Sequence, residues 1–484
     1  MTSAQAATLF GTGAGQLGFS LLRVRIDPTD NWSDETVNAT TAHSYGVKVL
    51  GTPWTPPASM KSNDNTIGGT LDTSEYSAYA TYLNTAASSI GLDYVSMQNE
   101  PDASVDYESC SWTGTNMETW CQTNAPTVAK PIVMPESEDF NDAYSDPTLN
   151  NATADNNITI VAGHIYGGGN QVHQNALNHG KHVWMTEHYN NGFDIGTAIT
   201  DAKEVSDCMN NQMSAYLWWY AFYPGAACDL VNGSTPELNG YALGQFARFI
   251  RPGYVRVSTT YNPTTNIYVT AYIKPGSAVI VAINTGTTSA SQQFALQDIS
   301  TSYVTPTVTS ASSNMVQGSN ISVTSGSFST TLPAQSVTTF VSGSASITYR
   351  IVNLNSALSL DAYGAGTSPG TLVDQYTWNG HTNQQWTMVP VSSGGYNIVG
   401  VGSGLYVTAT NSVEGSQLAL ETGAGSAAQV WNITAGSTAG NYILQNSSTG
   451  YVMDDYGNSK TAGAEVDQWA SSGNANQEWS LQAP

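Results

Sequence analysis

The sequence predicts a multidomain chain: a parallel α/β region with the strand pattern of a (β/α)8 barrel, a small antiparallel β-sandwich, and a β-rich region built on an internal repeat. Three observations carry this. Up to about Arg251, short apolar strands alternate with helix-length stretches, the pattern of a parallel α/β fold. From about Pro252 helical periodicity gives way to alternating segments separated by Gly, Asn and Ser. From about Ile347 a Gln-x-Trp motif recurs at near-constant spacing.

The barrel strands are expected at Leu21–Ile26, Val47–Thr52, Tyr94–Asn99, Ile132–Met134, Thr159–Ile165, His182–Thr186 and Ala215–Tyr220, where apolar and β-branched runs end in Gly, Pro or polar residues. A closed (β/α)8 barrel needs eight strands. Residues 2–16 read as a helix with no strand ahead of it, so in residues 1–251 either the first strand is missing, which would leave two unpaired edges, or the count is one short. Residues 252–343 hold alternating runs such as Ile267–Ile273 and Ala278–Ile283, the pattern of an antiparallel sandwich. Ser342-Gly-Ser-Ala-Ser346 reads as a short flexible linker to the domain at 347–484.

Composition excludes several functions. At a formal charge of −23, with 13 Lys plus Arg, the chain is unsuited to nucleic acid or an anionic membrane surface. No apolar run is long enough to span a bilayer. Few charged residues and abundant Gly, Ser, Thr, Asn and Tyr fit a secreted carbohydrate-active protein, although no signal peptide stands at Met1. Cys110, Cys121, Cys208 and Cys228 lack metal-site spacing; two disulfides are possible, in any of three connectivities. Neither a metal nor a cofactor is expected, and the chain is expected to be a monomer.

In the last third, Asn383-Gln-Gln-Trp386, Ala428-Gln-Val-Trp431 and Asn476-Gln-Glu-Trp479 recur 45 and 48 residues apart. Each follows a matching strand: Leu358–Asp361, Leu405–Thr408 and Tyr451–Asp454. These units resemble the ricin-type β-trefoil of carbohydrate-binding module family 13, with Trp386, Trp431 and Trp479 as its shared core. A sugar site needs an aromatic face and hydrogen-bonding carboxylate and amide groups. The first repeat offers Asp361, Tyr376, Asn383 and Gln384, and the third Asp454, Trp469, Asn476 and Gln477, with the same fifteen-residue step from Asp to aromatic. Thr408, Glu421 and Ala428 replace Asp, aromatic and Asn in the second, so two sites are expected.

In the barrel, Tyr94-Val-Ser-Met-Gln-Asn-Glu100-Pro101 and Val183-Trp-Met-Thr-Glu187 each run a strand into a glutamate. Catalytic groups of such barrels sit at the C-terminal ends of strands. Two carboxyl groups, one protonated and one ionised, are what glycoside hydrolysis requires. Gly51-Thr-Pro-Trp-Thr-Pro-Pro-Ala-Ser-Met60, Gln98-Asn-Glu-Pro101, Gly163-His-Ile-Tyr-Gly167, Trp184-Met-Thr-Glu-His-Tyr189 and Leu217-Trp-Trp-Tyr220 together resemble glycoside hydrolase family 30, especially its endo-xylanase branch. The resemblance runs from about Ser3 to Gly343. It implies a TIM barrel with a side sandwich, a retaining endo-β-1,4-xylanase, Glu100 as acid/base and Glu187 as nucleophile. In that family these residues follow the fourth and seventh strands; counting from Leu21 gives three and six, so the missing element is the first strand. The family's Gly-Phe-Gly-Gly segment before it is absent here.

Asn99 beside the acid/base suits a sugar 2-hydroxyl, Trp54 the floor of the cleaved subsite, Tyr166 a hydrogen bond to the nucleophile and Trp219 stacking on sugar. Arg23 resembles the family's arginine that keeps the nucleophile ionised. His164 and His188 are read as structural hydrogen-bonders. One departure bears on specificity. Family members that need a glucuronic acid branch place an arginine after Trp-Trp-Tyr, where this chain has Ala221-Phe-Tyr223 and no Arg or Lys before Arg248. Xylan is therefore the expected substrate, without dependence on glucuronic acid branches. The alternatives are a β-1,6-galactan or glucan hydrolase of the same fold, or a catalytically impaired carbohydrate-binding protein.

Overall fold

The computed structural model describes every residue except Pro224, Thr438 and Ala439; Pro224 closes the run after the last predicted barrel strand and lies outside the described residues. Seven strands, β1 (Leu21–Ile26), β2 (Lys48–Pro53), β3 (Tyr94–Ser96), β4 (Ile132–Ser137), β5 (Ile160–His164), β6 (His182–Glu187) and β7 (Ala215–Tyr216), form one sheet in sequence order. Every neighbouring pair is parallel. Among the described residues no ladder joins β1 to β7, so the barrel is open. Burial follows from that topology: β4 and β5 are buried throughout, whereas the edges β1 and β7 are largely half-buried.

Two strands stop three or more residues earlier than their sequence suggests. β3 ends at Ser96 because Asn99 N–H turns to Pro53 O. β7 ends at Tyr216 because Trp219 N–H donates instead to His188 O. The expected helix at 2–16 is only Ser3–Phe10. It starts on a capping box between Thr2 and Gln5, and the chain folds back beyond Gly11, with Leu17 and Phe19 N–H groups returning to Thr8 O and Leu9 O. The covering helices show the usual spacing. Tyr76–Ile90 buries Tyr79, Leu83, Ala86, Ala87 and Ile90 on one stripe and ends on Gly91, whose φ of 86° suits glycine.

The sandwich follows. Strands Ile267–Lys274 and Ser277–Asn284 form a hairpin in continuous register. Alternation splits its residues between two cores. Val279, Val281 and Ile283 pack with the barrel, while Ile280 and Ala282 face a second core with Phe294, Phe328 and Phe340. Gln245, on the last barrel helix Leu238–Ala247, donates to Thr309 Oγ1 and accepts from Thr339 Oγ1 through its backbone carbonyl.

The C-terminal repeats close into a trefoil whose Trp386, Trp431 and Trp479 are fully buried. Each indole Nε1 donates to the preceding strand, at Leu360 O, Val407 O and Met453 O. The segment read as a flexible linker is packed instead. Ala345 is buried in one cluster with Ile273 and Ala278 and donates its N–H to Gly276 O. Tyr396 and Tyr442 hydroxyls reach Pro275 O and Gly253 O. The possible disulfides are not formed: all four cysteines are buried free thiols. Burial pushes Cys110 up to about 11 and Cys121 to about 12, so neither forms a thiolate readily.

Candidate active site

The C-terminal ends of β1 to β7 bring the predicted residues together. After β3 the chain bends so that Glu100 (φ 41°) donates its N–H to Glu136 O, aiming its carboxyl inward. β6 ends on Glu187. Ligating atoms of Glu100, His164 and Glu187 all lie within 4.8 Å of one another, and all three side chains are buried.

The two carboxyl groups have different surroundings. Glu187 accepts from Arg23 Nη1 at 2.6 Å and from the Tyr166 hydroxyl at 2.9 Å. Burial alone would lower the Arg23 pKa, but Glu136 and Glu187 outweigh it and raise it, so the cation persists. Burial and Glu187 push the Tyr166 hydroxyl far above its usual range, so it keeps its proton. Glu100 instead faces His164 Nδ1 at 2.9 Å and the Tyr107 hydroxyl at 3.3 Å. Burial pushes Glu100 up, yet the bond and charge from His164, helped by Arg23, hold it below the usual carboxylate range.

Asn99 Oδ1 accepts from Arg23 Nη2, which turns the amide toward the cleft floor. Trp54 lies over the Arg23 guanidinium at 4.8 Å and meets Trp219 at 5.9 Å between rings. A line of rings continues through Tyr220 to Tyr223, at 4.1 and then 5.2 Å. His188 bonds Glu204 at 2.8 Å, as a structural hydrogen-bonder does. His164, read in the same way, touches the acid/base candidate directly.

Sequence reading missed Glu136, a third carboxylate. It is fully buried, accepts from Arg23 Nε at 3.1 Å and Thr52 Oγ1 at 3.0 Å, and lies 4.0 Å from His164 Nε2. Its signal was available, since Met134-Pro135-Glu136 also runs a strand into a glutamate. Tyr107 and the fully buried Lys61, which ties Thr55 to Ser109 O, carried no comparable pattern. Glu100, His164 and Glu187 are the one set among the described residues with ligating atoms close enough for a metal ion, and the adjacent Arg23 already supplies Glu187 with a cation.

In the trefoil, Asn383 donates to Asp361 at 2.7 Å, and Asn476 to Asp454 at 2.9 Å. Tyr376 and Trp469 stand exposed beside them. Gln384 and Gln477 also hold their loops, and Gln477 Nε2 donates to Asp454 at 2.7 Å as well. Both are buried, and each closes a loop by accepting a backbone N–H (Asn379, Ser472) and donating to a backbone carbonyl (Thr377, Ala470). Gln429 makes the same loop bonds in the second repeat.

Comparison with known proteins agrees with both halves. A family model described as a ricin-type beta-trefoil lectin domain-like matches residues 338–421 and 427–484. Glucuronoxylanase XynC of Bacillus subtilis (strain 168) is 38% identical over 367 residues, which cover 70% of this chain and 85% of that protein. Among solved structures, the glycoside hydrolase family 30 subfamily 8 xylanase Xyn30A from Clostridium acetobutylicum superposes with a TM-score of 0.68 and 41% identity, covering 71% of this chain and 93% of that one. The GH30 endoxylanase from Clostridium papyrosolvens C71 gives 0.65 and 39% over the same shares.

Proposed function

Because the chain belongs to glycoside hydrolase family 30 and carries a ricin-type β-trefoil lectin domain, we propose that it is a secreted endo-β-1,4-xylanase acting with retention, independent of glucuronic acid branches. One observation carries the reading: Glu100 and Glu187 present carboxylate oxygens within 4.8 Å of each other in unlike surroundings. Retaining glycosidases hold their two carboxyl groups about 5–5.5 Å apart, too close for a water to attack between them.

Glu187, fixed by Arg23 and Tyr166, attacks the anomeric carbon and forms the glycosyl-enzyme bond. Glu100 protonates the departing oxygen. His164 Nδ1, 2.9 Å from Glu100 Oε1, is placed to pass that carboxyl the proton it delivers. His164 is held between Glu100 and Glu136, its Nε2 lying 4.0 Å from the Glu136 carboxylate. Glu100 then removes a proton from the water that releases the sugar. Asn99, bonded to Arg23, holds the 2-hydroxyl. Trp54 and Trp219 floor the cleft, and Tyr220 and Tyr223 extend it as an uncharged stacking surface where a uronate-dependent enzyme needs a cation.

The test is reducing-sugar release from linear xylan, β-1,6-glucan and β-1,6-galactan, with product anomers followed by NMR. Release from xylan with the β-anomer appearing first is expected. Cleavage of only a β-1,6-linked polymer overturns the substrate, α-anomer first overturns retention, and no release with polymer retained leaves a binding protein.

A further inference from the structure

Glu100 presents its two oxygens to different neighbours. Oε1 faces His164, whose side chain is fully buried, so an incoming group finds that side occupied. Oε2 has one hydrogen-bond partner among the described residues, the Tyr107 hydroxyl at 3.3 Å. An oxygen that comes to Glu100 for a proton therefore comes to Oε2, beside that hydroxyl.

Tyr107 is placed as a surface and not as core. It is 48% exposed, and among the described residues its ring meets no other aromatic ring. Yet the chain just beyond it is pinned. Arg25 holds Glu108 in a two-bond fork, at 2.8 and 2.5 Å. Ser109 donates through Oγ to Tyr107 O at 2.9 Å, and its N–H reaches Thr66 O at 3.0 Å. The buried Lys61 donates to Ser109 O at 2.6 Å and to Thr55 Oγ1 at 2.9 Å, which stitches the loop after β3 to the loop that carries Trp54. Gly68 N–H adds a bond to Ser109 Oγ. Ile67, between the two residues that bond Ser109, is 42% exposed, so this tied corner turns two large apolar side chains to solvent. A loop fixed in advance by such bonds has little freedom left to lose when a ligand meets it.

A glycosidic bond cut between Glu187 and Glu100 has the attacked sugar on one side and the departing sugar on the other. Arg23 and Tyr166 hold Glu187, Asn99 is bonded to Arg23, and Trp54 lies over Arg23 with Trp219 against it. These groups surround the attacked ring. The Tyr107 hydroxyl bonds none of them, only the carboxyl that protonates the departing oxygen. A pyranose ring offers an apolar face that an aromatic ring can cover. We infer that Tyr107 is a substrate-binding residue on the leaving-group side, the stacking surface for the departing sugar. This rests on Glu100 being the acid/base of a xylan hydrolase.

The same surface would hold an acceptor sugar that discharges the glycosyl-enzyme in place of water. There Glu100 takes the proton of the attacking hydroxyl, the new C–O bond forms and the ester bond to Glu187 breaks. Water and sugar use the same base, so a Tyr107 that only steadied Glu100 would leave the division between them unchanged.

The experiment measures that division in the full chain. 2,4-Dinitrophenyl β-xylotrioside forms the glycosyl-enzyme, and methyl β-xyloside competes with water to discharge it. The ratio of methyl xylotetraoside to xylotriose among the first products reads acceptor binding, and misfolded molecules contribute to neither product. Tyr107→Ala should lower the ratio by about tenfold, the worth of a stacked aromatic, while Tyr107→Phe, which keeps the ring, should stay within about threefold of the parent. A fall of less than about threefold in Tyr107→Ala, a larger fall than that in Tyr107→Phe, or a parent that transfers nothing to methyl xyloside overturns the inference. A parent that releases no dinitrophenol overturns instead the xylanase reading beneath it.

Discussion

Replacing Arg23 by Met should destabilise the barrel as well as inactivate it, and the size of the effect follows from what Arg23 touches. Its guanidinium is 7% exposed and bonds Glu136 at 3.1 Å and Glu187 at 2.6 Å, carboxylates whose side chains are 0% and 8% exposed. Removing one partner of a buried ion pair typically costs about 3–5 kcal/mol, because the remaining charge loses its partner without regaining water. For a cooperative unit of this size, about 2–4 °C per kcal/mol turns that into a fall of roughly 6–20 °C in melting temperature. Calorimetry at pH 6 reads it directly. Adding Glu136→Gln to Arg23→Met removes one of the two orphaned charges and should recover on the order of 0.5–3 kcal/mol while leaving turnover lost. An Arg23→Met variant melting within 2 °C of the parent would refute the reasoning, as would a double variant no more stable than the single.

Three further outcomes are expected. Glu187→Gln should abolish turnover on every substrate, whereas Glu100→Ala should keep some activity on aryl xylosides with good leaving groups and recover further with azide; equal, unrescued loss would remove the assigned roles. With Ala221-Phe222-Tyr223 in place of a cation, kcat/KM on glucuronoxylan and linear xylan should agree within about tenfold, taking about 1.4 kcal/mol per decade, and a hundredfold preference for the branched polymer would show that a cation from elsewhere serves the uronate. Stability should fall as pH rises from about 4 to 8. Asp201, Asp374, Asp455 and Asp467 are pushed by burial to about 8, 7, 6 and 7. The native state thus holds protons that the unfolded chain releases near pH 4, and this contribution is complete below that pH and lost through those values; denaturant midpoints that rise over the same range would contradict it.

How far the site could be read from the sequence depended on whether a residue's function is written in its own strand. Glu100 and Glu187 end apolar strands, and the repeated Gln-x-Trp motif specified the trefoil core, so local pattern sufficed for both. His164 is different: its link to Glu100 spans 64 residues and exists because β3 and β5 flank β4, a fact of sheet order rather than of motif. Glu136 had the strand-then-glutamate signal but sits behind Pro135, which reads as a strand end. The motif marks Gln384 and Gln477, but that they also close loops shows only in their bonds. Ser342–Ser346 has a linker's composition, yet burying Ala345 depends on residues 267–278, which composition alone does not reveal.

The packing of Ala345, Tyr396 and Tyr442 against the sandwich has a consequence for how the chain meets a polymer. A module on a loose tether raises the local concentration of substrate around the cleft for any polymer it captures, less so as the tether lengthens beyond the span. A docked module behaves as a fixed jig. It helps only those chains whose run from trefoil site to cleft matches the spacing set by the fold, and gives others no gain in avidity. Cleavage positions along a bound polymer should then be phased from the point of capture rather than scattered, with the period set by the protein and not by the distribution of branches.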